Sequence, residues 1–308
     1  MTTDNRYSEY EDCTLCPRRC GVNRYERTGY CKASAAMRIA RAALHFWEEP
    51  CISGSRGSGA VFFTGCNMGC VFCQNHLISR GSVGKEITKE RLIEIFYELS
   101  EKGAHNINLV TADIYLPEIR DAIKAARMRG FTLPFILNTS SYLNADSVKS
   151  LEGLIDIYLP DFKYIRDKDS ARYSNAAGYS KAAQAAIAEM VRQCPECVFE
   201  GSKEERILKK GVVVRHLLMP GMLIQAKLIV KDLYESFGNK ILISLLSQYT
   251  PNGRLDGHPE INRKVSEAEY RSLIRWAENL GVKGFMQAKE SADESYIPTF
   301  DVGGDGSH

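Results

Sequence analysis

The stretch Gly59-Ala-Val-Phe-Phe-Thr-Gly-Cys66-Asn-Met-Gly-Cys70-Val-Phe-Cys73-Gln-Asn75 sets the tightest limits on what this chain can become. A run of small and apolar residues reads as a short buried strand, and a glycine-studded turn then delivers three thiols within eight positions. Gly65 and Gly69 give the backbone the freedom to turn all three inward on one loop. A thiolate set of this kind suits zinc or an iron–sulfur cluster. A closed [4Fe–4S] site takes four thiolates, so three leave one iron open to an outside ligand.

Eight of the ten cysteines lie within the first 73 residues, which concentrates metal-binding capacity at one end of the chain. The opening Met-Thr-Thr-Asp-Asn-Arg-Tyr has no apolar run of signal-peptide type, and no stretch reaches the length of a membrane span. The expected compartment is the cytoplasm, where thiols stay free for metals or catalysis instead of pairing. A formal net charge of +2 gives no reason to expect nucleic acid as a partner.

The segment Cys13-Thr-Leu-Cys16-Pro-Arg-Arg-Cys20, followed by Cys31, fits a complete four-thiolate site, either zinc or a closed iron–sulfur cluster. Metal binding there would supply the folding free energy of a stretch too short and too polar to fold alone. Arg18, Arg19, Arg24 and Arg27 read as a solvated basic surface. Cys51 reads as a small buried residue. Residues 1–58 form a cysteine-rich N-terminal segment on this reading, and residues 59–308 form the main unit.

After the cluster loop, apolar strands alternate with amphipathic helices. Thr88 caps a helix whose Leu92, Ile95, Phe96 and Leu99 recur at helical spacing and which Gly103 ends. The runs Ile107-Asn-Leu-Val110, Pro134-Phe-Ile-Leu137, Ile155-Asp-Ile-Tyr-Leu159, Gly211-Val-Val-Val-Arg-His-Leu-Leu218 and Lys240-Ile-Leu-Ile-Ser-Leu245 read as further strands. Ser266-Glu-Ala-Glu269 spells a capping box for the last helix, with Gly284-Phe-Met-Gln287 beyond it. Such alternation implies parallel pairing. Six strands and a potential seventh are short of a closed eight-stranded barrel, so a partial (β/α)6 barrel, of α/β class, is expected. The segment from Ser180 to Lys210 interrupts the rhythm, with Cys194 and Cys197 as incidental thiols of a local excursion. A short C-terminal extension runs from Ser291 to His308.

Active sites of β/α barrels form at the C-terminal ends of the strands. That rule selects Asn108 and Thr111, Asn138, Thr139 and Ser140, Asp161 and Lys163, Arg215 and His216, and Gln248 and Tyr249.

The spacing Cys-x3-Cys-x2-Cys with Phe72 resembles the signature of the radical S-adenosylmethionine (SAM) superfamily. The resemblance implies a [4Fe–4S] cluster on Cys66, Cys70 and Cys73 as the catalytic centre, with SAM chelated at the open iron and Phe72 helping to seat the adenine. Reductive cleavage of SAM to methionine and a 5′-deoxyadenosyl radical is the implied chemistry, and the implied fold is again the partial barrel. Asn108, Thr111, Asn138, Thr139, Asp161, Lys163, Arg215 and His216 are the expected cofactor-binding residues, since SAM calls for acceptors, a cation and amide groups.

Further motifs narrow the resemblance: Cys-Thr-Leu-Cys-Pro-Arg-Arg-Cys-Gly-Val-Asn-Arg, Asn-Ile-Asn-Leu-Val-Thr, Asp-Ile-Tyr-Leu-Pro-Asp-Phe-Lys-Tyr and Val-Arg-His-Leu-Leu-Met-Pro-Gly. Together they are similar to a group named for pyruvate formate-lyase activating enzyme, over the chain from Cys13 to Phe300. The implied activity is activation of a glycyl radical enzyme under anaerobic conditions, with a reductant protein such as flavodoxin or ferredoxin as partner. Radical modification of a small metabolite or a peptide is the rival reading. An iron–sulfur or zinc protein acting as electron carrier or scaffold is the alternative of another class. The activases carry Gly-Gly-Glu after the second strand to hold the SAM ammonium, and here that place reads Leu109-Val-Thr-Ala-Asp. Thr111 or Asn108 is expected to serve instead.

Overall fold

Strand β2 (Ser58–Phe63) is buried at every position and lies inside the sheet, flanked by β1 (Arg38–His45) and β4 (Ile107–Val110). Its run of small and apolar residues suits a strand covered on both faces. The computed structural model describes residues 6–202, 205–252 and 255–286. The C-terminal extension from Ser291 to His308 lies outside the described residues, as does Gln287.

From β2 the parallel series runs through β4, β5 (Phe135–Thr139), β6 (Ile157–Pro160), β8 (Arg206–Leu217), β9 (Leu242–Leu246) and β10 (Gly284–Met286). The seventh strand suggested by the sequence is thus present. At the other edge β1 pairs antiparallel with β2 and with β3 (Lys85–Glu86). The strand order does not return on itself among the described residues, so the sheet is open, as a partial barrel requires. Because β1 joins the same sheet, that sheet reaches back across the expected division at residue 58.

Helices fill the connections between parallel strands. Thr88 accepts the Arg91 amide at the start of helix Lys89–Glu101, and Ser266 with Glu269 forms the capping box of helix Glu267–Leu280. Between β6 and β8 the chain is more regular than its sequence suggests. The alanine-rich stretch is helix Tyr179–Gln193, a crossover helix, and β7 (Val198–Gly201) then turns back to pair antiparallel with an extended β8. Cys194 is buried in the helix-facing core, and Cys197 packs beside Val213 and Leu208 on the other face.

The two faces of the sheet separate by strand alternation. Leu109, Leu137, Tyr158, Val212 and Val214 pack with the helices. On the other face Ile136, Ile157, Leu159, Leu208 and Val213 enclose Cys51 and Ile52 from the short helix Pro50–Ser53. The Ile52 carbonyl accepts from Asn106 Nδ2 at 2.8 Å. The linker after β1 therefore enters the concave side of the sheet, brings Glu48 and Glu49 with it, and confirms Cys51 as a small buried residue.

Candidate active site

The C-terminal ends of β2, β4, β5, β6, β8 and β9 converge on one cleft of about 280 Å³. Cys66, Cys70 and Cys73 follow β2 and form one wall; Thr111, Asn138, Thr139, Ser140, Asp161, Lys163, Arg215, Gln248 and Tyr249 are among the residues that line the rest.

A charged network spans the cleft. Arg215 donates from Nε to Asp161 Oδ1 at 2.9 Å, from Nη1 to Glu48 Oε2 at 3.0 Å and from Nη2 to Asn138 Oδ1 at 2.6 Å. Lys163 Nζ reaches Asp161 Oδ2 at 2.6 Å. Asn108 and Asn138 both donate amide hydrogens to Glu48 Oε1, at 3.0 and 3.2 Å. Burial alone would push the Asp161 carboxyl up, but Arg215 and Lys163 outweigh it and hold it below the usual carboxylate range. The same carboxylate overrides the burial of Lys163 and keeps its ammonium charged. Asp161 and Lys163 are therefore a mostly buried pair in an ordered network, beyond the isolated surface pair that their spacing alone would allow.

On the thiol wall, the Ser174 hydroxyl donates to Cys70 Sγ at 2.9 Å and the Met68 amide to Cys66 Sγ at 3.4 Å. Burial pushes both thiols up, so their ionisation calls for a bound cationic centre. Phe72 is buried with its ring 5.8 Å from that of Tyr249. Three soft donors on one wall of a polar cleft fit an iron–sulfur cluster. Among the described residues no three His, Cys, Asp or Glu side chains are grouped to hold a single metal ion. Cluster thiolates bind different irons and stand farther apart than the ligands of one ion.

The structure does not bring His216 to the cleft. It neighbours Arg215 on β8 and so faces the opposite side, where it is buried with Nδ1 2.7 Å from the Phe162 carbonyl. Burial pushes its imidazole down to about 4. Asn108 lies one layer deeper than expected, engaged by Glu48. Thr111 does line the cleft, with a left-handed φ of 59°. Thr139 donates its hydroxyl to Asp113 at 2.8 Å, and burial pushes that aspartate up to about 7. Tyr249 spends its hydroxyl on the Ile261 carbonyl and offers the cleft its ring.

Glu48 is the residue that sequence reasoning missed. Two adjacent carboxylates before Pro50 were the available signal, and a linker does not announce that it will enter a barrel. Elsewhere, Cys13, Cys16, Cys20 and Cys31 line a separate cavity of about 20 Å³.

The family model of the radical SAM superfamily matches residues 60–233, more than half of the chain. The chain belongs to the radical SAM superfamily. Membership implies an enzyme that uses a [4Fe–4S] cluster and SAM. An uncharacterised protein of Methanocaldococcus jannaschii is 27% identical over 277 residues, 87% of this chain and 75% of that one. Among solved structures, a domain of pyruvate-formate lyase-activating enzyme from Bacteroides vulgatus is 15% identical. It covers 56% of this chain and 92% of its own, with a TM-score of 0.41. The FeFe-hydrogenase maturase HydG from Carboxydothermus hydrogenoformans is 14% identical, with a TM-score of 0.48 over 76% of this chain and 55% of that one. Streptococcus suis SuiB bound to its precursor peptide SuiA is 12% identical, with a TM-score of 0.46 over 72% of this chain and 46% of that one. Among the described residues no helix is long and apolar enough to cross a membrane.

Proposed function

We propose that the cleft binds a [4Fe–4S] cluster on Cys66, Cys70 and Cys73 and SAM against the opposite wall. The observation that carries this reading is the shared cleft: three thiols after β2 face the Asp161–Lys163–Arg215 network at the ends of β6 and β8. Bound there, the cluster and SAM would supply one-electron reductive cleavage of SAM to methionine and a 5′-deoxyadenosyl radical, with the electron coming from an external reductant. Asp161, kept ionised by its two cations, presents an anionic edge for the SAM ammonium. Lys163 offers a cation to the carboxylate, and Phe72 with Tyr249 offers an apolar face to the adenine. Thr111 stands where the activases' glutamate is missing. Val110, Leu217 and Leu246 line the remaining wall and limit water at the reacting atoms. A reductant protein of flavodoxin or ferredoxin type would supply the electron.

The finer reading is activation of a glycyl radical protein. Trp47 lines the cleft while 58% exposed, beside Phe46 at 48%, and aromatic surface at a cleft edge suits a polypeptide more than a metabolite. The test is anaerobic reconstitution with SAM and a reductant, with 5′-deoxyadenosine as the readout. Formation above the protein-free background supports SAM cleavage, and none overturns it. Candidate glycyl radical proteins should then give a protein-centred radical by electron paramagnetic resonance. Substrate-dependent 5′-deoxyadenosine from a metabolite pool without that radical would replace the activase reading with small-molecule chemistry.

A further inference from the structure

The N-terminal thiols are brought together by local geometry. The Cys13 amide donates to the Val22 carbonyl at 3.2 Å, the Gly21 amide returns to the Cys13 carbonyl at 3.1 Å, and the Arg19 amide closes on Cys16 at 3.0 Å. A Cβ at Gly29 would stand 3.4 Å from Cys20 Sγ and 3.5 Å from Cys31 Sγ, so those sulfurs flank one point. All four cysteines line one small cavity with Leu15 and Ile114.

Arg24 adds an independent sign of what the cavity holds. Its side chain is 1% exposed and lines the cavity beside Cys13 and Cys31. Its partners are the Ser34 and Ile114 carbonyls and the face of Tyr10, 3.8 Å away. Among the described residues it makes no ion pair with a carboxylate. Glu118 attracts it only from beyond ion-pair distance, and burial pushes that carboxyl up to about 7, so the buried guanidinium is left with a partial countercharge, which is costly. Four thiolates around a dication, or around an oxidised cubane cluster, carry a net charge of about −2 and would supply the remainder.

The cavity is also tied to the cluster loop. The Cys66 amide donates to the Cys31 carbonyl at 3.0 Å, Arg18 Nε donates to the Asn67 carbonyl at 2.5 Å, and Asn67 itself lines the cavity. At Gly65, with φ 104°, a Cβ would meet the Cys31 carbonyl oxygen at 2.7 Å, so only glycine permits this contact.

We propose that Cys13, Cys16, Cys20 and Cys31 bind a second metal as a four-thiolate centre, which braces the Cys66 end of the cluster loop; as placed, the thiols are spread too widely for a single ion, so an iron–sulfur cluster fits them as they stand and zinc would have to draw them together. The bracing half rests on the cluster assignment above; the metal half does not.

The test uses the full chain with Cys66, Cys70 and Cys73 all replaced by alanine, reconstituted anaerobically with iron and sulfide or loaded with zinc, and checked for fold by circular dichroism. One zinc per chain, or about four irons with cluster absorption, is the expected result and identifies the metal. A folded triple variant that holds neither overturns the site, as does metal retained after Cys20→Ala and Cys31→Ala are added. For the brace, Cys20→Ser in the otherwise native chain should lower first-cluster iron at least twofold or shift its electron paramagnetic resonance signal. An unchanged first cluster overturns the brace. Because metal content is the readout, failure of SAM cleavage and failure of this site are told apart.

Discussion

The cleft beside Cys66, Cys70 and Cys73 measures about 280 Å³ and is walled by Glu48, Asp161, Lys163 and Arg215, whereas the cavity among Cys13, Cys16, Cys20 and Cys31 measures about 20 Å³. The first has three thiols, room and polar edges; the second has four thiols and space for little beyond them. Room and polarity belong to a site that exchanges a zwitterionic ligand at each turnover. Closure by a full donor set belongs to a resident centre that helps fold its own segment. The two regions meet in a backbone hydrogen bond, Cys66 to Cys31, so neither is expected to be wholly indifferent to the other.

The sharpest test of that contrast removes one thiol from each. On the proposed assignment Cys70→Ala strips a ligand from the reacting centre, so it should lower 5′-deoxyadenosine formation at least ~1000-fold, roughly 4 kcal/mol of transition-state stabilisation. Cys20→Ala should lower the melting temperature and the metal content while leaving measurable turnover. Equal losses in the two variants would break the comparison.

The next effect concerns the cleft's charged wall. Arg215→Ala leaves Asp161 and Glu48, both mostly buried, without the guanidinium that joins them. Breaking a buried pair from one side costs about 3–5 kcal/mol, and the urea midpoint should fall accordingly. Lysine should not rescue it, since the three hydrogens of an ammonium leave one nitrogen and cannot reach the partners that Nε, Nη1 and Nη2 meet around a planar fork. A loss below about 1 kcal/mol would mean that water already screens this network.

How much of this was legible in the sequence divides along the same line. The three-thiol loop at the end of β2, most of the strand ends and the capping residues Thr88 and Ser266 are set by local sequence, so spacing alone placed them. Glu48 was not legible because its partners on β4, β5 and β8 are 60 to 167 residues away. His216 was misplaced because one step along β8 exchanges the cleft for the opposite face. The β7 hairpin was hidden because Val198–Gly201 is mostly exposed and carries no apolar alternation. Arg24 read as surface among its basic neighbours, and only the fold buries it against Tyr10.

A pH profile separates the regions further. Glu118, on helix Leu116–Met128, accepts the Tyr10 hydroxyl and so pins the N-terminal segment to the barrel. Burial pushes its carboxyl up to about 7 from an ordinary 4.5. The folded chain then holds this proton more tightly than the unfolded one, so the stability it contributes is complete below pH ~4.5 and is lost as pH rises through about 7. The loss is on the order of 3 kcal/mol. Glu118→Gln cannot ionise, so its melting temperature should gain on that of the native chain between pH 5 and 8. Parallel curves over that range would remove Glu118 as the titrating contact.

The smallest effect sits at the seam. Arg18 lies 3.5 Å over the Tyr30 ring, donates from Nε to the Asn67 carbonyl at 2.5 Å and from Nη2 to the Asn175 carbonyl, so one planar fork spans the N-terminal segment, the cluster loop and the turn after helix Asp167–Ser174. Arg18→Lys keeps the charge but loses the fork and most of the stacking, and each such contact at a half-exposed site is worth about 1 kcal/mol. Global stability should therefore fall by only about 1–2 kcal/mol. Hydrogen exchange should show more, with the Cys66 and Asn67 amides losing protection while the amides of β4 and β5 do not. Uniform loss across the sheet would place Arg18 in the general stability of the barrel, and the seam would then be held by the Cys31–Cys66 hydrogen bond without its help.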